Sequence, residues 1–353
     1  LFGAGNEPAK EEMDRVFKFL KASTDDEPTN ADIIKALLMY RTVTAKKPFV
    51  FGELSEYYPS PEFEDMSINS ARPLRNFTAD DIYQLYDDLW LSYPNRVERN
   101  FLGYGSDSNG NDDETLPIYE YVFKPPYTEG NVRGTPFTDP LKVLITTGVH
   151  GNEKAAVYTT YKMFENMMVD EYTPLTPLRL NIEFRIIPLV NPGGFTDNTR
   201  STREGVDPNR NFLTSAANEI AITRNWVLKH DDAVLLLDVH NTWMDSYGLT
   251  YGVSHQKHMR DIYIGVTRTL AFDWHNKYGH GDNITEGYTM SSGIGHIYYE
   301  GQRTSNIGNA ILLETAADDH NRVEYTSEVL ERTYGLTTNF LRAFFHWLNS
   351  NLD

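Results

Sequence analysis

A chain of 353 residues has room for one large α/β domain with an appendage, or for two average domains, and 40% hydrophobic with 13% aromatic residues suit a packed core rather than a disordered chain. Its 50 acidic and 32 basic residues leave a formal net charge of −18, which argues against nucleic acid or an anionic membrane surface as a partner, because phosphate binding needs clustered Lys and Arg. Cysteine is absent, so a metal has to be held by His, Asp and Glu, and no apolar run approaches the roughly 20 residues of a membrane span.

The chain starts at Leu1 with no charged and then apolar leader behind it, as expected of a fragment or a processed product. "PAKEEMDRVFKFLKAS" and "NADIIKALLMYRTV" have helical apolar spacing, and "SEYYPSPEFEDMSINSARP" reads as a linker or an extended strap. Two short helices cannot support their own core, so residues 1–76 are expected to pack as a small helical appendage on a main domain spanning 77–353.

"FTADDIYQLYDDLWLSYPN" opens that domain with a helix. Thr78 and Asp81 have capping-box spacing, and Ile82, Leu85, Tyr86 and Leu89 form one apolar stripe. "SDSNGNDDE" is a turn cluster and "LPIYEYVFK" alternates like a strand. Apolar strands follow at "KVLITTG", "NIEFRIIPLV", "AVLLLDVH" and "NAILLETA", with helical segments between several of them, which argues for a sheet covered by helices on both faces. No internal repeat or low-complexity tract interrupts them.

Three of these four strands end in residues able to work on a metal: His150 with Glu153, then His240, then Glu314. Ligands in open α/β sheets gather outside the strand carboxyl ends, and a catalytic zinc takes three protein ligands and leaves one position open. His150, Glu153 and His240 are such a set. His255 and His258, in "HQKH", are rival ligands in a polar stretch and read as surface residues. Between the pair and His240, "NPGGFTDNTRSTREGVDPNRNF" carries Arg200, Arg203, Asn209 and Arg210 in a loop broken by Gly and Pro, suited to holding a carboxylate through a planar guanidinium.

In this order, "HGNE", "NPGGF", "GVDPNRNF", "DVHN" and "ILLE" resemble the zinc metallocarboxypeptidase family over roughly residues 77–353. The resemblance implies an α/β/α sandwich with a mixed, mostly parallel central sheet and one zinc ion at its carboxyl edge, held by His150, Glu153 and His240. It makes Glu314 the general base, which takes a proton from water and returns it to the leaving amine. Arg200 stabilises the oxyanion, with Arg203 as competitor for that role. Asn209 and Arg210 grip the terminal carboxylate of the substrate, and Asp207 holds the His150 ring. The family's substrate tyrosine is matched most nearly by Tyr288, with Tyr298 and Tyr299 as competitors. Gly193, where the family has Asp, and Asn241, where it has Ser or a similar residue, are departures at positions that supply no zinc ligand.

The default substrate is a peptide C-terminus, with bacterial cell-wall stem peptides as a serious option. "LFGAGNEP" resembles the closing stretch of a module found in bacteriophage tail and prophage surface proteins, which implies an enzyme cut from a larger tail-associated protein and working outside the cell, a cytoplasmic location being the alternative. Three rival functions stand beside this one. They are an amidohydrolase resembling the aspartoacylase and succinylglutamate desuccinylase group, a non-catalytic tail binding module, and an endopeptidase with an open groove.

Overall fold

The computed structural model describes residues 61–64, 73–125, 140–168, 178, 182–241, 251–254, 256–278, 309–315 and 325–350. In chain order its main elements are α1 (Ala79–Ser92), β1 (Val97–Ser106), β2 (Asp112–Phe123), β3 (Leu141–Thr146), α2 (Lys154–Met168), β4 (Ile182–Ile187), α3 (Pro192–Asp197), α4 (Pro208–Asn211), α5 (Asn218–Lys229), β5 (Leu235–Asn241), β6 (Tyr251–Val253), α6 (Lys257–Tyr278), β7 (Ala310–Thr315) and α7 (Ser327–Ser350). The two helices expected before residue 50, and "LFGAGNEP" with them, lie outside the described residues.

Seven strands form one sheet in the order β1-β2-β4-β3-β5-β7-β6. The four inner strands β4, β3, β5 and β7 are parallel. Strand β2 pairs with β1 and β4, and β6 with β7, in antiparallel sense. The sheet is therefore mixed with a parallel centre. The inner strands are near-continuous apolar runs because both of their faces are covered. Alternation sorts their side chains: Val143, Ile145, Phe184, Ile186, Leu235 and Leu237 enter one core with α1, α2, α6 and α7, while Leu144, Ile187 and Leu236 enter a second core with Ile220, Trp226 and Val227 of α5. Three layers result, helix, sheet and helix.

Local chemistry explains the entry to the domain. The Asp81 carboxylate accepts hydrogen bonds from the Thr78 backbone N–H at 2.8 Å and from its hydroxyl at 3.2 Å, closing the first turn of α1. "SDSNGNDDE" joins β1 to β2, with Asp107 Oδ1 accepting from the N–H groups of Asn109 and Asn111. Strands β1 and β6 have no counterpart in the sequence reading. Strand β1 is an edge strand with mostly exposed or half-buried positions, and β6 is three residues long, so neither carries a readable apolar pattern.

Register places the site. Thr146 at the end of β3 lies opposite Ile187 at the end of β4 and opposite Asp238 in β5. Strand β5 continues past that level, and His240 is paired with Glu314 of β7. The carboxyl ends of the parallel strands thus form one rim, along which the imidazole of β5 and the carboxylate of β7 are immediate neighbours.

Candidate metal centre

Two glycine-rich turns build the rim. Beyond β3 the chain keeps pairing with the strand beside it, the Val190 N–H donating to Thr147 O at 3.1 Å and the Asn191 N–H to Gly148 O at 2.9 Å. Gly148 has φ +60, a left-handed conformation that turns the chain out of the sheet. The Glu153 N–H then closes on His150 O at 3.2 Å, and α2 begins at the next residue. The backbones of "HGNE" and "NPGGF" touch at Gly151: a Cβ there would lie 1.9 Å from the carbonyl carbon of Gly194 and 2.1 Å from the Phe195 nitrogen.

His150 and His240 direct the same type of nitrogen to one point. Glu153 Oε1 is 2.6 Å from His150 Nδ1, Glu153 Oε2 is 2.9 Å from His240 Nδ1, and the two Nδ1 atoms are 3.2 Å apart. All three residues are buried. Ligands at the usual zinc distances in a tetrahedron sit about 3.3 Å from one another, so slight expansion of this cluster accommodates the ion. The donor set, two imidazoles and a carboxylate, also suits zinc, and it is the one cluster of three such groups among the described residues.

The Nε2 atoms point the other way, each to a carboxylate. His150 Nε2 lies 3.3 Å from Asp207 Oδ1, and His240 Nε2 lies 3.1 Å from Asp238 Oδ2. Burial disfavours charge on both rings, but the carboxylates outweigh it. Glu153 and Asp207 raise the pKa of His150, and Asp238 and Glu153 hold that of His240 well above its ordinary value. Burial would raise the Glu153 carboxyl, yet the two imidazoles hold it well below the usual carboxylate range. Glu314 goes the opposite way. Burial and the Glu153 carboxylate push it up to about 7, with the His240 and His150 rings opposing.

Arg200 reaches this cluster and Arg203 does not. Arg200 donates from Nε to Asp207 Oδ2 at 2.9 Å, and its Nη1 lies 3.3 Å from His150 Nδ1 and 4.0 Å from Glu153 Oε1. Arg203 is held by Asp197 and Asp113 instead, each at 2.9 Å. Asp207 caps α4, accepting from the Asn209 N–H at 2.9 Å. It is therefore a junction between the His150 ring, the Arg200 guanidinium and the loop that carries Asn209 and Arg210. Asn209 is buried, and its Oδ1 has no hydrogen-bond partner among the described residues. Arg210 is exposed.

Several supports of the cluster have no motif in the sequence. Tyr325, just before α7, brackets Glu153: its hydroxyl donates to Asn152 O at 2.8 Å and accepts from the Lys154 N–H at 3.3 Å. The Asn241 N–H donates to Glu153 Oε2 at 3.1 Å, and the Asn241 side chain accepts from the Ala156 N–H at 2.8 Å. The ammonium of Lys154 is buried against the carbonyls of Arg75 and Phe77, at 2.9 and 2.6 Å, and over the Phe195 ring, and burial lowers its pKa to about 8. Only Asn241 stood out beforehand, as a departure from the family pattern. Tyr325 and Arg75 are remote in sequence from everything they support. His258, expected at the surface, is half-buried; it stacks on Trp347 with ring centroids 4.7 Å apart and hydrogen-bonds Asn309 Oδ1 at 2.7 Å. Tyr288, Tyr298, Tyr299 and His255 lie outside the described residues, as does nearly all of the stretch between Tyr288 and Glu314.

A family model described as zinc carboxypeptidase matches residues 82–293, more than half of the chain. No curated protein matches the sequence. Among solved structures, a metallo-carboxypeptidase from Burkholderia cenocepacia aligns over 77% of this chain and 70% of its own, at 13% identity and a TM-score of 0.56. Bovine thrombin-activatable fibrinolysis inhibitor, solved in complex with tick carboxypeptidase inhibitor, aligns over 79% of this chain and 99% of its own, at 14% identity and a TM-score of 0.55. At such identities these likenesses speak for the fold.

Proposed function

As a member of the zinc carboxypeptidase family and thus a zinc metallocarboxypeptidase, the chain, we propose, holds its zinc ion with His150 Nδ1, His240 Nδ1 and the Glu153 carboxylate and uses Glu314 as general base. The observation that carries this reading is the convergence of those three donors on the carboxyl rim of the parallel strands, with Glu314 paired beside His240. When bound, zinc polarises the scissile carbonyl and lowers the pKa of coordinated water to about 7.

The residues of the chain perform the rest. The Glu314 carboxylate accepts a proton from the attacking water and returns it to the amide nitrogen as the C–N bond breaks, a task suited to a carboxyl raised toward neutrality. Arg200, anchored through Nε by Asp207 and with Nη1 beside the candidate ligands, donates to the carbonyl oxygen as negative charge develops there. Asn209 and Arg210 take the terminal carboxylate of the substrate, Arg210 supplying charge from an exposed position and Asn209 donating from its Nδ2 amide. Tyr288 is assigned to substrate binding from its place in the sequence. The catalytic unit spans residues 77–353, with residues 1–76 as its appendage.

Metal analysis of the purified chain, together with hydrolysis of paired peptides whose C-termini are free or amidated, tests the reading. Zinc at one ion per chain and cleavage of the free form alone are expected. Cleavage of the amidated form reassigns Asn209 and Arg210 to an endopeptidase groove, and turnover of acetyl- or succinyl-amino acids in preference to peptides replaces the reading with an amidohydrolase.

For the substrate we infer cell-wall stem peptides, met outside the cell by an enzyme that is part of a larger assembly; the likeness of "LFGAGNEP" to tail-protein modules supports this. Mass spectrometry of products from mixed peptides and purified wall fragments decides this. Release of a terminal residue from wall peptides supports it, and inertness toward them with turnover of ordinary peptides removes it.

A further inference from the structure

Behind the second imidazole lies a carboxylate that the catalytic reading leaves without a task. Asp238 is fully buried in β5, among Leu235, Leu236, Leu237 and Val239, themselves almost completely buried. Strand residues two apart share a face, so Asp238 and His240 point to the same side of the sheet. The β3–β5 register sets Thr146 opposite Asp238. Accordingly the Thr146 hydroxyl donates to Asp238 Oδ1 at 2.7 Å, and Asp238 Oδ2 lies 3.1 Å from His240 Nε2. A charge in such an apolar strand is costly unless hydrogen-bonded, whereas an aliphatic residue would pack there at little cost.

We propose that Asp238 is a positioning residue of the metal centre: it accepts the Nε2–H of His240, which fixes the tautomer whose Nδ1 lone pair faces the metal, and Thr146 in turn locks its rotamer. The inference rests on reading His240 as a ligand. Its geometry is specific. His240 Nδ1 already faces Glu153 and His150, so in the metal-binding form the proton has to reside on Nε2. Without a partner on that side the ring can turn about its Cβ–Cγ bond and take Nδ1 away from the site. Asp207 does the corresponding work for His150, but from a loop, and shared with Arg200 and the Asn209 N–H. Asp238 has its place in the sheet ladder, so the hydrogen-bond register of β3 with β5 is passed directly to the metal ligand.

Zinc affinity of the full chain, measured by competition with a chromophoric chelator, tests this in the parent, in Asp238→Asn and in Thr146→Val. Asp238→Asn is expected to bind zinc about 10- to 100-fold more weakly. Thr146→Val, which leaves the carboxylate in place, is expected to lose less. In the zinc-loaded parent, nitrogen NMR of the imidazoles should show His240 protonated at Nε2 in a slowly exchanging hydrogen bond that weakens in Asp238→Asn. Equal affinity in parent and Asp238→Asn overturns the proposal while leaving the ligand set intact, and marks Asp238 as a tie between strands. A zinc-loaded parent with His240 bound through Nε2 overturns it without any variant. A parent that binds no zinc overturns the ligand set and this proposal together.

Discussion

Substituting Gly151 by Ala tests whether the turn after β3 and the start of α3 are pressed together to make the candidate metal centre. The added Cβ would stand 1.9 Å from the carbonyl carbon of Gly194, 2.1 Å from Phe195 N and 2.3 Å from Gly194 O, all backbone atoms. Carbon atoms rest about 3.5–4 Å apart, so the two backbones have to separate by roughly 1.5 Å. Inserting a methyl group into packed structure costs about 1–3 kcal/mol, and with backbone on the far side the upper end applies. At about 2–4 °C per kcal/mol for a domain of this size, the melting temperature should fall by about 6–12 °C. The same displacement moves His150 or Glu153 by several times the roughly 0.2 Å tolerance of a metal–ligand distance, so zinc affinity should fall as well. Gly205→Ala is the matched control. Gly205 has φ +82 but nothing within 4 Å of an added methyl, so its cost is backbone strain alone, about 1–2 kcal/mol, with zinc affinity unchanged. Thermal melts with and without zinc, beside a chelator competition, give both quantities. If Gly151→Ala melts within about 2 °C of the parent, the shift of less than 1 kcal/mol, and binds zinc equally, the close contact between "HGNE" and "NPGGF" is refuted.

Glu314→Gln should lower kcat by about 10²- to 10⁴-fold while zinc content stays at one ion per chain, as steady-state kinetics and metal analysis will show. Because Glu314 works as the deprotonated carboxylate and is raised to about 7 without metal, activity should rise with pH through its pKa; the charge of zinc favours the carboxylate, so the rising limb of kcat/KM should fall below 7. The raised pKa values of His150 and His240 mean that zinc displaces protons from the rings, so binding should release protons and tighten as pH rises, which calorimetry in buffers of different ionisation enthalpy will detect. Arg200→Ala should cost about 10²- to 10³-fold in kcat, whereas Arg203→Ala, which breaks contacts to Asp197 and Asp113, should alter melting temperature and leave kcat unchanged.

The sequence by itself determined the strand-and-helix alternation, since short apolar, β-branched runs such as "KVLITTG" and "AVLLLDVH" read as strands covered on both faces. It also singled out the residues at the strand ends, because His240 and Glu314 close apolar runs, His150 with Glu153 follows another, and all four occur in the order of one family's motifs. It was silent on β1 and β6, whose edge positions impose no two-sided apolar pattern. It left Arg200 and Arg203 as competitors, and only the loop's path shows which guanidinium reaches the His150 ring and which is tied to Asp113. Nor could it reveal Asp238, Tyr325 or Lys154, because each acts through a partner reached across a register or a packed surface, as Asp238 meets Thr146 across β3 and β5. The candidate ligands are legible locally, each at its own strand end. Ligand orientation depends on contacts between segments up to 173 residues apart, and such contacts exist only once the sheet and its helices have closed around them.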